Sequence, residues 1–483
     1  MTSNERTDDV QERLAISRQS VPKQVPEDRV LNFEETYLGF DLDGAIIEAA
    51  RCIDCPSAPC MQACPVGNDI PTALKQLEAG DLDGAAATFR ETSTLPDMCG
   101  RLCPQESLCE GDCVIGFAIR PNNAKEPPVA IGRLEAFIAD EQRSLHGGYP
   151  LPDVAPKTGL SVAIIGSGPA GITVAEELQK RGHDCTIYEA WPEAGGVLLY
   201  GIPNFKMRKS ILQAKIEFLK AIGVKFVFNT RIGPDISIEE LHDERGFDAI
   251  FVGIGAWIGG KLDVDGESHL ENVYMATDFL VRGNLEDHQL PEHLRQELHV
   301  GEDVIVIGGG DTSMDCVRTA IRIGAKNVTC VYRRTEAEML GRAEERIHAH
   351  EEGVNFEFLT TPVEFIGDDD GVLKEVELVR MALGEPDDSG RRRPQVIEGS
   401  NFRIPASAAV IAIGYNADSD FMSETNLDTD NWHLVRVDEQ THQTNVPYVF
   451  AGGDAVNGAD LVVTAIADGK RAATWIHQYL RSK

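Results

Sequence analysis

The sequence predicts an α/β protein in which a helical, cysteine-bearing N-terminal part precedes two doubly wound strand–turn–helix units. Three observations carry that prediction. Eight of the eleven cysteines fall between positions 52 and 113. From Ser161 onward, short apolar strands alternate with helical segments, the pattern of a parallel sheet. Two of the strands, Val162 to Ile165 and Asp303 to Ile307, run directly into glycine turns that open helices.

The cysteines form two runs, Cys52-x2-Cys55-x4-Cys60-x3-Cys64-Pro65 and Cys99-x3-Cys103-x5-Cys109-x3-Cys113. Thiolates are soft ligands suited to iron, and short spacers let one loop wrap several sulfurs around a cluster. A cysteine followed by proline closes such a run. Structural zinc would also use Cys-x-x-Cys pairs, and disulfides would need an oxidising compartment. Cys185, Cys316 and Cys330 lie in apolar strand or helix contexts and read as core residues.

A chain of 483 residues exceeds one core, so two or three domains are expected. Its 78 acidic against 45 basic residues leave a formal charge of -33, which disfavours nucleic acid and anionic membranes as partners. No apolar run is long enough to span a bilayer, and the start of the chain is polar without the apolar stretch of a signal peptide. A cytoplasmic location is the expectation. The acidity fits a salty habitat or a basic partner surface, and the sequence does not separate these.

Residues 1 to about 40 are polar and expected to have mobile ends. Helical patterns follow at Ala45 to Ala50, Pro71 to Ala79, Leu82 to Arg90 and Val129 to Arg143, and Leu145 to Gly159 reads as a linker. In the first nucleotide unit, the strand ends at Gly166-Ser167-Gly168-Pro169-Ala170-Gly171, where glycines let backbone amides approach a pyrophosphate. Glu189 follows the next strand, where a carboxylate accepts ribose hydroxyls. The loop around Gly195 and Gly196 suggests flavin recognition by its position.

The second unit carries Gly308-Gly309-Gly310-Asp311-Thr312-Ser313-Met314-Asp315. Its next strand ends in Arg333-Arg334 where the first unit has its acid. Guanidinium groups there bind a 2′-phosphate that a carboxylate would repel, so NADPH is favoured over NADH. Arg342 is a candidate third cation. Near the end, Phe450-Ala451-Gly452-Gly453-Asp454 leads into an apolar helix starting near Leu461, whose N-terminus offers a positive dipole to a reduced flavin.

Taken together, the two cysteine runs, the Cys99-Gly100-Arg101-Leu102-Cys103-Pro104-Gln105-Glu106 segment, the Gly308 to Asp315 run and Phe450 to Asp454 resemble the glutamate synthase small subunit family. That family shares its layout with the N-terminal half of dihydropyrimidine dehydrogenase and with the large subunit of NADH-dependent ferredoxin:NADP oxidoreductases. The likeness covers the chain from about residue 27. It implies a helical domain with two [4Fe-4S] clusters at 1–155 and an FAD domain at 156–292 and 415–483, interrupted by an NADPH domain at 293–414.

The resemblance further implies that Cys52, Cys55, Cys60 and Cys113 hold an outer cluster, and that Cys64, Cys103 and Cys109 hold an inner one. Relatives complete the inner cluster with a side-chain oxygen, matched here by Glu135, with Cys99 as the rival. Ile131, Leu134, Glu135 and Ile138 share one helix face, so Glu135 points with apolar neighbours and needs a partner. The FAD residues expected are Gly166, Gly168, Pro169, Ala170, Glu189, Gly196, Leu198, Lys206, Ile232, Gly453, Asp454, Val463 and Thr464. Those for NADP are Gly310, Asp311, Thr312, Ser313, Arg333, Arg334, Arg342 and Gly414.

The expected chemistry is hydride transfer from NADPH to FAD, followed by release of single electrons through the clusters to a partner. The cofactors perform it, so no catalytic triad is expected, although Lys206 matches a basic residue near the flavin in relatives. Neither an amidotransferase domain nor a pyrimidine-reducing barrel is present, so glutamate would be made on another polypeptide. The expectation is the electron-input subunit of glutamate synthase, assembled with a large subunit or another flavin/iron–sulfur subunit as a hetero-oligomer. The alternatives are the catalytic subunit of a ferredoxin:NADP oxidoreductase or sulfide dehydrogenase, which the segment Val30 to Glu35 also resembles, and a redox-sensing interaction module.

Overall fold

The computed structural model describes residues 3–117, 125–386 and 392–483. The cysteine-bearing part is a stack of short helices, and acidic caps set where several of them start. Asp41, Asp69 and Asp81 accept hydrogen bonds from the amides of Gly44, Thr72 and Gly84, opening helices Leu42–Ala49, Ile70–Glu78 and Leu82–Thr92. Helix Ile131–His146 closes the stack and ends at Gly147, which takes φ +65° as a left-handed cap. It buries Ile131, Leu134, Glu135 and Ile138 together. It also runs into the stretch expected as a linker, because its apolar face still has the helix Pro96–Leu102 to pack against.

Two five-stranded parallel sheets follow. The first has the order Val449–Ala451, Ala249–Val252, Ser161–Ile165, Asp184–Tyr188, Lys225–Val227. The second has the order Val273–Met275, Ala408–Ile411, Asp303–Ile307, Asn327–Tyr332, Asn355–Phe358. The last strand of the chain therefore returns to the first sheet beside Ala249–Val252, so the second unit is an insertion. Val273–Met275 already belongs to the second sheet, which corrects the division expected at 293. Its short, half-buried strand is an edge and carries little apolar signal.

Antiparallel strands Thr360–Gly367, Leu373–Pro386, Arg392–Val396 and Phe402–Pro405 form a further sheet within the insertion. The two crossings between the units touch, Tyr415–Asn416 pairing antiparallel with Ile258–Gly259. Among the described residues, no helix is long and apolar enough to cross a membrane.

The polar leader is not loose as expected. Helix Ser3–Ala15 is anchored by Arg13, which reaches Glu78 and the carbonyls of Ala50 and Cys52. Further on, Arg29 is fully buried and donates to Glu352 at 2.7 Å and to Glu351 at 2.8 Å. Arg318 and Arg322 converge on the same Glu352 carboxylate at 3.1 and 2.7 Å. Arg318 also donates to Thr36, and its guanidinium lies over the Phe205 ring at 4.4 Å. Charges taken out of water need such pairing, and the cluster ties residues 29–36 to the second unit.

Burial would raise the Glu352 pKa, but bonds from Arg322 and the charge of Arg318 outweigh it and hold the carboxyl at about 2, against an ordinary 4.5. A carboxylate depressed on folding stabilises above its unfolded pKa and loses that contribution as pH falls through the folded value. Wild-type stability in urea should therefore fall between about pH 4.5 and 2 with a component that Glu352→Gln lacks. At neutral pH the substitution should cost about 3–5 kcal/mol. An identical acid slope in both proteins would contradict the assignment.

Candidate functional site

Two glycine turns build the centre of the molecule in the same way. Gly166 has φ +94°, and a Cβ there would stand 2.5 Å from the Gly253 carbonyl, just past the neighbouring strand Ala249–Val252. Gly308 has φ +145°, and a Cβ would stand 2.1 Å from the Ala412 carbonyl, just past Ala408–Ile411. Each turn is therefore open only to glycine, and each releases a helix, Pro169–Lys180 and Asp311–Arg322, with its N-terminus toward the ligand side.

Both helices open onto one cavity of about 680 Å³. Its walls include Gly166, Gly168, Pro169, Ala170, Glu189, Gly196, Lys206, Ile232 and Asp454 from the expected FAD set, and Asp311, Thr312 and Gly414 from the expected NADP set. A cavity of this size lies within the range of cofactor sites. Leu102, immediately before Cys103, is part of the same wall. The cysteine domain, the first unit and the second unit thus meet at one space.

The remaining expected residues stand outside that wall. Leu198 and Val463 are buried core residues, and the Thr464 hydroxyl donates to the Leu461 carbonyl at the start of helix Val462–Arg481. The Gly453 amide donates to Asp468. Ser313 donates to the Ala412 carbonyl, and Gly310 caps helix Asp311–Arg322. Arg333 is exposed, while Arg334 is half-buried and its Nε has no hydrogen-bond partner among the described residues. An unpaired guanidinium nitrogen at the end of that strand suits an anionic ligand group.

Arg342 differs from expectation. Its guanidinium donates to Gln105 at 2.8 Å, to Glu106 at 3.4 Å and to the Arg101 carbonyl at 3.2 Å. It is committed to joining the second unit to the cysteine domain, because that domain packs over the position where a free third cation was expected.

Glu189 is buried, and burial pushes its pKa up against bonds from Ser167 and Trp191. Asp454 is pushed up to about 7, chiefly by burial and further by Asp460 and Asp468. Lys206 stands 3.0 Å from Asp315. Burial would lower the lysine pKa, but Asp315, Glu345 and Asp311 outweigh it and hold it above its ordinary value. Lys209, half-buried, donates to the carbonyls of Leu198 and Ile202 and so pins the loop beside the cavity.

The cysteines gather into two groups. Cys52, Cys55, Cys60 and Cys113 line one small gap with Ile70, Leu74 and Ile131. Left-handed Asp54 (φ 49°) and Ala58 (φ 37°) bend the loop between the first three. Burial pushes the Cys52 and Cys60 thiols up to about 11 and 12, and the neighbouring sulfurs add to the shift. Cys64, Cys103 and Cys109 form the second group, and the Glu135 carboxylate bears on all three. Cys99 bears on Cys64 and Cys103.

Glu135 is buried, accepts from Asn68 at 3.1 Å, and is pushed well up by burial and by Cys99. Among the described residues, no three such groups converge on a point that would hold a single ion. Buried acidic groups set around a gap fit an iron–sulfur cage, whose charge would reverse these upward shifts.

Several wall residues escaped the sequence reading. Asp315 lies one helical turn after Asp311 on the same helix face, a spacing that could have drawn attention to it. Tyr415, Trp257 and Leu102 arrive from distant segments and left no local signal.

Comparison with known proteins agrees with this arrangement. Residues 29–146 match the 4Fe-4S cluster family described as dihydropyrimidine dehydrogenase domain II, and residues 160–469 match the pyridine nucleotide-disulphide oxidoreductase family. The glutamate synthase [NADPH] small chain of Escherichia coli is 37% identical over 97% of this chain and 98% of its own length. That of Azospirillum brasilense is 39% identical over 96% and 95%. The putative oxidoreductase AegA of Escherichia coli is 41% identical over 95% of this chain and 69% of its own length.

Among solved structures, Mycobacterium tuberculosis FprA in complex with NADPH matches with a TM-score of 0.56 at 20% identity, covering 68% of this chain and 85% of that one, and bears on the fold alone. With a cysteine domain joined to two nucleotide units along the full length of such relatives, the chain belongs to the glutamate synthase small-chain family within the pyridine nucleotide-disulphide oxidoreductases.

Proposed function

We propose that the chain is the NADPH-oxidising, electron-input subunit of glutamate synthase, which passes electrons to a large subunit that makes glutamate. One observation carries this reading. The first glycine turn, the helix start Asp311-Thr312 that follows the second, and the residue preceding Cys103 share the wall of one cavity. A hydride donor held by the second unit and a flavin held by the first would meet there, with an iron–sulfur ligand next to them. Bound FAD would accept the hydride and divide its electron pair.

The chain's own residues position that chemistry. Gly166 and Gly168 admit a pyrophosphate to the first helix N-terminus, and Glu189 faces an adenosine ribose. Asp454, neutral more readily than an ordinary carboxyl, suits hydrogen bonding to flavin hydroxyls. In the second unit Arg333 and Arg334 hold the 2′-phosphate, while Asp311 and Thr312 stand at the helix N-terminus. Cys52, Cys55, Cys60 and Cys113 hold the outer cluster. Cys64, Cys103, Cys109 and Glu135 hold the inner one, Glu135 being a buried carboxylate on the inward face of helix Ile131–His146.

A second reading has one observation in its favour: the 41% identical relative is named only as an oxidoreductase. On that reading the electrons pass to a ferredoxin or another acceptor. Purified protein mixed with a glutamate synthase large subunit decides between the two. NADPH-driven glutamate formation from glutamine and 2-oxoglutarate is expected, and ferredoxin reduction without glutamate would overturn the proposal.

Two variants test the placements. Arg333→Ala combined with Arg334→Ala should weaken NADPH use relative to NADH use by roughly ten- to hundredfold, read from kcat/KM. An unchanged ratio would remove the phosphate assignment. Cys60→Ala should abolish one cluster's magnetic signature and leave the flavin spectrum intact. Loss of both clusters' signatures, or of neither, would contradict the two separate sets.

A further inference from the structure

The cavity at the centre has a polar neighbour. A second space of about 270 Å³ is lined by Tyr37, Arg101, Arg133, Glu345 and His348, and Lys206 stands in the wall of both. Asp315, 3.0 Å from Lys206, lines the larger of the two spaces. Glu345 acts electrostatically on both Lys206 and Asp315, and it lies one turn before His348 on helix Ala343–Glu351.

His348 is the odd member of this wall. It is 1% exposed, and among the described residues neither ring nitrogen has a hydrogen-bond partner. Its neighbours are paired: Arg101 with Glu35 and Asp140, Arg133 with Glu344, and Glu345 with Arg318. An imidazole bonded to nothing among the described residues, in the wall of a polar space large enough for water, is placed to exchange protons with that water.

Proton accounting makes such a place necessary. Oxidation of NADPH to NADP⁺ yields two electrons and one proton. Clusters take the electrons singly but not the proton, so one proton must leave a site that the two dinucleotides would fill. Resting on the electron-input reading, we propose that Asp315, paired with the Lys206 that walls both spaces, receives this proton and that it leaves by way of His348 and water in the 270 Å³ cavity. The C–H bond of the dihydronicotinamide breaks, NADP⁺ leaves, the electron pair goes to the clusters, and the proton ends in solvent.

The electrostatics agree with that geometry. Asp315 is pushed up to about 6, chiefly by burial and by Glu345 and Asp311 against the pull of Lys206, so it shares a proton readily. His348 is held down to about 4, first by burial and then by Arg318 and Arg29, against Glu345 and Glu344, while the Tyr37 ring lies beside it. The imidazole is therefore neutral at rest, able to accept a proton and release it quickly.

The test uses the full holoprotein, reduced anaerobically with NADPH and mixed with ferricyanide in weak buffer containing a pH indicator. In the wild type, proton appearance should keep pace with flavin reoxidation. His348→Phe, which removes two unpaired nitrogens at similar size, should delay proton appearance on the order of tenfold or more. Added imidazole should shorten the delay, and the flavin midpoint potential from spectroelectrochemical titration should stay unmoved. Lys206→Met should show the same delay without rescue.

Wild-type proton release in His348→Phe would overturn the relay alone, and so would a delay in that variant accompanied by a shifted flavin potential. A wild-type flavin that NADPH does not bleach would overturn the electron-input reading and the relay with it.

Discussion

Electron transfer through this chain depends on contact at one cavity wall, where Leu102 of the cysteine domain completes a space otherwise built by the two nucleotide units. A flavin can divide an electron pair only if the hydride donor and the one-electron acceptor both reach it. The fold meets that constraint by bringing three separately folded pieces to one point. Thr94 and Thr173 hydroxyls lie 2.7 Å apart where the cysteine domain meets the first unit, and Arg342 holds the same domain to the second.

Buried charge maintains the meeting. Glu352 gathers Arg29, Arg318 and Arg322, and Glu344 binds Arg133 and Tyr37. The contacts of Arg29, Arg133 and Tyr37 join residues hundreds of positions apart, and removing one partner leaves a desolvated charge behind. The second unit therefore cannot swing away from the cysteine domain without exposing several unpaired guanidinium groups. The same packing encloses the polar cavity beside Lys206, so the surfaces that hold the domains together also provide the proton route proposed above.

Local signals in the sequence were enough for the two sheets and their glycine turns, since strand, turn and helix are contiguous, although the carbonyls that crowd Gly166 and Gly308 belong to the distant Gly253 and Ala412. Cysteine spacing likewise marked the two runs as metal-type, while their division into two ligand sets came from the family resemblance, and helix periodicity placed Glu135 inside. Arg342 was misread and Arg29 passed over because their partners, Gln105 and Glu352, are distant in sequence and a charged residue carries no mark of burial. The edge strand Val273–Met275 was missed because it is short and half-buried. His348 gave no signal at all, since an isolated histidine in a polar helix looks like surface.

The account's central claim is that flavin and clusters form one electron store open to NADP⁺. Fully photoreduced protein, mixed anaerobically with excess NADP⁺, measures it directly. A flavin holding two electrons and two clusters holding one each should yield about two NADPH per chain, with the iron–sulfur absorbance recovering alongside the flavin's. A yield of about one NADPH, with the clusters left reduced, would mean that the flavin and the iron–sulfur centres do not communicate and would contradict the account.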